Sequence, residues 1–573
     1  MLPESQRLPA IMTEQRLRFP IGISDFRKLR EGSYHYIDKT PLIEDVLADG
    51  GEVLLLPRPR RFGKTLNLSM LRCFLEKTPE DRRPLFAGLA IASSEIARPH
   101  FQRYPVIFLT FKDVKSTSWE ACYERLAGVL ADLYGEHQDL LEQGVMKPQE
   151  AEIFTAILER RGTRAACTEA LGLLSRLLAR HHGEKVVILV DEYDSPIHAG
   201  HTHRYYDEVV AFFRDFLSVG LKDNPHLFKG VLTGILRVAK ESLFSGLNNL
   251  TVYSILRSEL STYFGFTEPE VRRLVEAIGR PDLLDGIRAY YNGYLFGREA
   301  IYNPWSVLSF LASADKDLLP YWIDTSSNDL VRELLLTGPG GVRAELESLL
   351  ADGTVDKPIE ESILLRDLSS RSGAVWNLLL FTGYLKPVEV YLVDGLRRAK
   401  LAVPNLEVAI ALQRMVQDWL ASQVGGSDEL EELLSALLRG DAPRVERRLS
   451  HMARVNLSYF DTAGPDPERF YHGLVIGLLA GLGSRYEIRS NRESGLGRCD
   501  VMVLPKSAGQ PGVVLELKRV DTDAGETVDK ALVAALEQIR ERDYAAELRE
   551  RGAAPIHEMA AVFDGKRAYV RVR

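Results

Sequence analysis

The sequence has no membrane-length apolar run, no zinc-like cysteine spacing and no basic excess. Its longest apolar stretch, around residues 474–482, falls well short of the roughly 20 residues a spanning helix needs. No apolar segment with a cleavage site stands near the N-terminus, which reads against secretion. Four cysteines (Cys73, Cys122, Cys167 and Cys499) share no C-x-x-C spacing. That argues against structural zinc and fits reduced thiols in a cytoplasm. Twelve histidines contain no H-E-x-x-H pattern, and no serine sits in a G-x-S-x-G elbow. A formal net charge of −8 leaves no global attraction for nucleic acid, so any such contact must come from local patches. The acidic excess lies outside residues 481–573, which carry 16 basic and 15 acidic side chains.

What is present is a globular composition, 45% hydrophobic and 27% charged, over 573 residues. That length exceeds one core and suggests about three or four domains. After a polar lead at 1–18, short Val/Ile/Leu-rich runs at 53–56, 106–111, 186–191, 229–233 and 251–256 alternate with amphipathic stretches such as 66–76 and 118–134. The alternation predicts a parallel sheet with helices on both faces across 19–264. Residues 265–424 read as a mostly helical middle domain, lid-like or winged-helix-like, with a glycine-rich loop at Gly338-Pro339-Gly340-Gly341. Gly425-Gly426-Ser427 marks a boundary. Beyond it, 425–573 reads as helices at 430–438, 445–453 and 468–482, strands at 486–490, 499–504 and 513–517, and one helix over 527–549.

Two constellations carry chemistry. The 53–56 strand feeds Arg60-Arg61-Phe62-Gly63-Lys64-Thr65-Leu66, a strand–loop–helix in which backbone N–H groups, a lysine and a hydroxyl can grip a nucleotide phosphate and its magnesium. The spacing G-x-x-x-x-G-K-S/T would put its first glycine at 58, where the chain has Arg58, a residue unsuited to glycine-only backbone conformations. The 186–191 strand ends in Asp191 and Glu192, the first to hold magnesium, the second to orient the attacking water. Thr233 stands where a γ-phosphate sensor is useful, and Arg237 where a cation could stabilise transition-state charge; a capping threonine and a solvated arginine are the alternatives.

The second constellation is Asp500 on one strand and Glu516-Leu517-Lys518 on the next. Because strand side chains alternate, Glu516 and Lys518 share a face while Leu515 and Leu517 pack inward. Asp500 and Glu516 would bind metal and Lys518 would orient or activate the nucleophile, with Glu468 upstream completing the carboxylates. The alternative is a hairpin with ordinary surface charges. Arg485, Arg489, Arg492 and Arg498 either track a phosphate backbone or form a solvated face. His472 reads as a structural histidine in preference to a site residue, and the aromatics at 290–305 and 321–322 as core in preference to base-stacking platforms.

In combination, Phe19-Pro20-Ile21-Gly22-Ile23-Ser24-Asp25-Phe26, Tyr36-Ile37-Asp38-Lys39-Thr40, Arg58-Pro59-Arg60-Arg61-Phe62-Gly63-Lys64-Thr65, Val190-Asp191-Glu192-Tyr193-Asp194 and Gly230-Val231-Leu232-Thr233-Gly234 resemble the AAA-ATPase-like family of bacterial proteins. In that family a PD-(D/E)XK nuclease-superfamily domain commonly follows the ATPase, and arginine is tolerated at the position of Arg58. The resemblance continues through Tyr302-Asn303-Pro304-Trp305-Ser306, Pro404-Asn405-Leu406-Glu407-Val408 and Phe470-Tyr471-His472-Gly473, covering roughly residues 19–550. It implies a P-loop NTPase sheet and a C-terminal α/β restriction-endonuclease-like domain, with Gln538 as a further polar residue of the cutting site. The expected cofactors are ATP and Mg2+. The expected partner is nucleic acid, DNA in preference to RNA, with no membrane and with homo-oligomerisation left open. The expected activity is an ATPase whose nucleotide state controls a metal-dependent nuclease; the alternative is a nucleotide-dependent switch or assembly scaffold whose nuclease-like domain only binds.

Overall fold

The computed structural model describes residues 17–237, 248–322, 345–346, 349, 353–361, 372–424, 427–456, 479, 482, 485–494, 497–520, 526–565 and 567–573. The chain forms two compact units, Met1–Leu330 with Asp356–Val408, and Val331–Val355 with Ala409–Arg573.

The first unit is built on β1 (Val53–Pro57), β2 (Val106–Thr110), β3 (Val186–Asp191), β4 (Leu227–Gly234) and β5 (Leu250–Val252), in the order β2-β3-β4-β1-β5 and parallel throughout. Every residue of β1 and β3 is buried, as strands covered on both faces require. The crossovers carry α1 (Lys64–Leu75), α2 (Trp119–Glu136), α3 (Ala170–His182) and α4 (Tyr206–Leu221). Each expected strand is present, but the last is shorter than 251–256. Its continuation turns away because the Ser254 hydroxyl accepts the Leu256 N–H at 3.3 Å and the Arg257 N–H bonds the Ser254 carbonyl at 3.1 Å.

One feature of the order positions the site. β1 pairs with β4 and β5, so β4 separates the strand that feeds Gly63-Lys64-Thr65 from the strand that ends in Asp191. Leu56 aligns with Thr233, and Val190 with Leu232. Thr233 therefore emerges between the two loops.

Residues 265–330 and 356–408 belong to the first unit. Helices such as α5 (Pro304–Ala312) are interleaved with two small sheets that the sequence reading did not name. These are the hairpin β6 (Tyr294–Phe296) and β7 (Glu299–Ile301), and a sheet ordered β8 (Val355–Pro358), β10 (Leu396–Ala402), β9 (Lys386–Val393). The alternation of Val388, Val390 and Leu392 was a period-two signal for β9. The 19-residue helix α6 (Leu406–Val424) follows.

The second unit holds α7 (Ser427–Leu438) and α8 (Ala442–Asn456), then a sheet ordered β11 (Tyr486–Ser494), β12 (Gly497–Pro505), β13 (Gly512–Arg519), β14 (Ile556–Asp564), β15 (Arg567–Val572). Only β13 and β14 run parallel. On one face Val501, Val503, Val513, Leu515 and Leu517 form a core with Leu433, Val445 and Leu449 of α7 and α8. On the other, Met502, Leu504 and Val514 pack against Ile539, Tyr544 and Leu548. The single helix expected over 527–549 is two, α9 (Val528–Glu541) and α10 (Ala546–Glu550). Asp543 breaks it by taking φ 47°, which aspartate tolerates better than most residues. The loop at 338–341, Gly425-Gly426 and most of the 468–482 helix lie outside the described residues.

Candidate nucleotide and metal sites

Strand β1 delivers the chain to a cavity of about 460 Å³ lined by Arg60, Arg61, Phe62, Gly63, Lys64, Thr65, Leu66 and Glu192, and walled on other sides by segments that include Ile23, Tyr36, Tyr263 and Trp305. Gly63 takes φ 84° at the N-cap of α1, and an added Cβ would meet nothing within 4 Å. Glycine is therefore favoured there by backbone conformation, not by crowding. α1 has neither a capping side chain nor an acidic residue in its first turn, so its first N–H groups and positive dipole end are left for an anion. The Lys64 ammonium is buried and donates to the carbonyls of Arg58 and Pro59 at 3.0 and 2.9 Å. Burial pulls it below its ordinary pKa, opposed by Glu192 and Asp191.

Arg58 does not stand in a glycine-only conformation; the left-handed residues of this loop are Arg61 (φ 69°) and Gly63. Its guanidinium is fully buried, donates to the carbonyls of Pro57 (2.8 Å), Tyr253 (2.5 Å) and Leu260 (3.4 Å), and lies over the Phe264 ring at 4.8 Å. Burial pushes its pKa down to about 9. Arg58 thus ties the loop to the segment after β5. Phe62 anchors the other side, its ring 4.9 Å from Tyr294 and 5.1 Å from Phe296.

The acidic half of the site meets the loop directly. Thr65 donates its hydroxyl to Asp191 Oδ2 at 2.8 Å, and Thr233 donates to Oδ1 at 2.6 Å. Asp191 and Thr233 are buried and do not line the cavity; Thr65 and Glu192 do. Burial holds the Asp191 carboxyl above the usual range, against the two hydroxyls that favour its anion. Glu192 takes φ 51°, and its Oε2 accepts the Ser195 hydroxyl at 3.0 Å. A hydroxyl beside a carboxylate, all oxygen, is a donor pair suited to magnesium. Asp194, in the same loop, accepts the backbone N–H groups of Ile235 (2.8 Å) and Leu236 (3.0 Å), locking the end of β4.

Arg237 is not brought to this cavity. It lines a separate cleft with Arg257, Glu361 and Arg397, so the sequence expectation that it serves the nucleotide within its own subunit has no support in the geometry. Of the aromatics read as core, Tyr291, Tyr294, Tyr302 and Trp322 are buried, but Trp305 is half-buried in the cavity wall beneath Arg61. The sequence reading missed Trp305, and the signal available was its place in Tyr302-Asn303-Pro304-Trp305-Ser306.

In the second unit, pairing of Val501 with Leu515 sets Asp500 across from Glu516 on adjacent strands. The Leu517 N–H donates to Asp500 Oδ2 at 2.9 Å. Glu516 and Lys518 occupy the β13 face opposite Leu515 and Leu517, and Gln538 of α9 donates to Glu516 Oε1. Glu516 is buried and Lys518 half-buried. Carboxylates facing each other from adjacent strands, with an amide fixing one of them, fit an oxygen-preferring cation. Among the described residues no group of three His, Cys, Asp or Glu side chains could hold a metal ion. Glu468 and His472 lie outside the described residues, as do the side chains of Arg492 and Arg498. Arg489 is paired with Glu487 (2.6 Å) and Glu547, and so is not a bare phosphate-tracking cation.

Residues 20–244 match the family described as predicted AAA-ATPase, and residues 466–572 match the PD-(D/E)XK nuclease superfamily. An uncharacterized protein in the vnfD 5' region of Azotobacter chroococcum mcd 1 is 30% identical over 561 residues, 96% of each chain. A Walker-type ATPase of Pyrococcus abyssi superposes on 70% of this chain and 99% of its own, with 13% identity and a TM-score of 0.36. No helix among the described residues is long and apolar enough to cross a membrane. The chain belongs to the AAA-ATPase-like family, with a PD-(D/E)XK nuclease-superfamily domain following the ATPase region.

Proposed function

We propose that this protein binds and hydrolyses ATP in the cavity of the first unit, and that its nucleotide state controls a Mg2+-dependent phosphodiesterase in the second. The observation that carries the first half is the Thr65–Asp191–Thr233 hydrogen-bonded trio beside the uncapped N-terminus of α1. Lys64 would turn from its loop carbonyls to the β/γ-phosphates. Thr65 and Asp191 would hold magnesium, Asp191 through water, and Glu192 would orient the attacking water. Thr233 fixes the Asp191 carboxylate and places a hydroxyl between the two loops.

In the second unit Asp500 and Glu516 would hold the metal and Lys518 would orient the nucleophile, on nucleic acid and on DNA before RNA. Bound magnesium supplies charge neutralisation at the phosphate and a more acidic water. The ATPase function is assigned to 19–264, the middle segment to 265–424 and the cutting function to 425–573, in a cytoplasmic protein whose self-association stays open. A second reading is favoured by one observation: Asp500 Oδ2 accepts the Leu517 N–H and Glu516 Oε1 the Gln538 amide, so both carboxylates are engaged within the domain. In that reading the domain binds nucleic acid without cutting and the protein is a nucleotide-dependent switch. Assaying wild-type and Asp500→Ala protein on DNA and RNA, with and without Mg2+ and ATP, decides. Metal-dependent cutting lost in Asp500→Ala supports the nuclease, and binding without cutting supports the switch. Unchanged ATP affinity in Lys64→Ala removes the ATPase reading.

A further inference from the structure

Arg61 is an exposed arginine in left-handed backbone, φ 69°, three residues before Lys64. Its guanidinium lies 4.1 Å over the Trp305 ring, it lines the same cavity as Lys64, Thr65 and Glu192, and Glu192 is within its electrostatic reach. Left-handed backbone is strained for a residue that carries a Cβ, and a cation–π contact at an exposed position is weak. The arginine places a planar cation at the wall of the cavity that Lys64, Thr65 and Glu192 share. Glycine or asparagine would serve the backbone better.

The indole is a fixed platform. Its Nε1 donates to the Tyr321 carbonyl at 3.2 Å, and the Trp305 backbone N–H is held by Asn303 Oδ1 at 2.9 Å. Arg61 can leave while Trp305 stays. Charge-assisted, bidentate hydrogen bonds to phosphate oxygens are stronger than the ring contact, so a γ-phosphate entering this cavity would draw the guanidinium from it.

We propose that Arg61 is the γ-phosphate cation of this site, supplied within the chain from the phosphate loop itself and parked on Trp305 when no triphosphate is bound. It takes the role expected of Arg237, which lies in a different cleft. This inference rests on the ATP reading above. In the step it serves, a water oxygen bonds the γ-phosphorus as the bond to the β-bridging oxygen breaks. ADP departs with that electron pair, inorganic phosphate forms, and the water's proton passes to the Glu192 carboxylate and on to solvent. Arg61 stabilises the charge that builds on the γ-oxygens. Trp305 becomes a built-in reporter that distinguishes a triphosphate from a diphosphate.

The test uses the full chain and its Arg61→Ala, Arg61→Lys and Trp305→Phe variants, titrated calorimetrically with ADP and with a non-hydrolysable ATP analogue. Tryptophan emission is followed in parallel, the Trp305→Phe protein isolating the signal of one of five tryptophans. The triphosphate analogue should change Trp305 emission and ADP should not. Arg61→Ala should keep ADP affinity, lose the preference for triphosphate, and lower kcat about a thousandfold with little change in KM. Arg61→Lys should recover the triphosphate preference in part and kcat poorly, because an ammonium lacks the planar fork. An Arg61→Ala protein with the wild-type preference for triphosphate and the wild-type kcat overturns the proposal. A wild-type protein that binds neither nucleotide overturns the ATP reading, and this inference with it.

Discussion

Thr233 donates its hydroxyl to Asp191 Oδ1 at 2.6 Å from β4, the strand lying between the phosphate-loop strand and the acidic strand. Together with Thr65 on Oδ2, it leaves both oxygens of a buried carboxylate satisfied by neighbours from two other elements. Thr233→Val removes one donor and keeps the shape. Stability should fall by about 1–3 kcal/mol in chemical denaturation, and Asp191 should titrate still higher. A Thr233→Val protein as stable as wild type would show that the bond contributes nothing.

Arg58→Gly restores the glycine spacing of the usual phosphate loop, and should weaken the protein. The position needs no left-handed residue, and its guanidinium donates to three carbonyls and fills space under Phe264. The expected loss is about 2–4 kcal/mol, with ATP affinity falling alongside. A rise in melting temperature would contradict the role assigned to Arg58.

Gln538 holds Glu516 from α9 without itself reaching the proposed metal position as a charged ligand. Gln538→Ala should cost about 10–100-fold in Mg2+-dependent cutting or in metal affinity while the melting curve changes little. Equal cutting by both proteins would remove Gln538 from the site.

Glu150 joins two helices of the first unit. It accepts Arg180 at 2.8 Å and Arg176 at 3.1 Å, and caps the Lys147 N–H at 2.9 Å. The Arg180 hydrogen bond leads in holding its carboxyl down at about 2, against an ordinary 4.5. A depressed carboxylate stabilises the fold above its unfolded pKa and loses that contribution as pH falls toward the folded one. Glu150→Gln should therefore cost about 1–2 kcal/mol at pH 7 and little near pH 2. A penalty independent of pH would sink this account.

Arg489 bridges Glu487 and Glu547. Arg489→Ala should lower the stability of the second unit by about 1–3 kcal/mol and leave DNA affinity and its salt dependence unchanged. A shallower salt slope would restore the phosphate-tracking reading.

Much of the architecture was legible because it obeys local rules. Buried parallel strands read as unbroken Val/Ile/Leu runs, and β1 to β4 lie within two residues of their expected bounds. β14 was not read, although it carries an apolar run at 559–563, because it follows the broken α9–α10 pair that the reading had merged. Arg58 was misjudged because the motif rule assumes a glycine turn that this backbone does not make.

The sequence by itself determined the chemistry on offer: a lysine and hydroxyl after Gly63, carboxylates at Asp191 and Glu192, and Asp500 with Glu516 and Lys518. Side-chain type and strand periodicity are local properties, and they survive without knowledge of the fold. Which of these groups meet was decided by tertiary structure. The insertion of β4 between β1 and β3 brought Thr233 to Asp191, and antiparallel register set Asp500 across from Glu516. The same long-range packing sent Arg237 to another cleft and put Trp305 beneath Arg61, because such contacts depend on strand order and helix placement that no local pattern encodes.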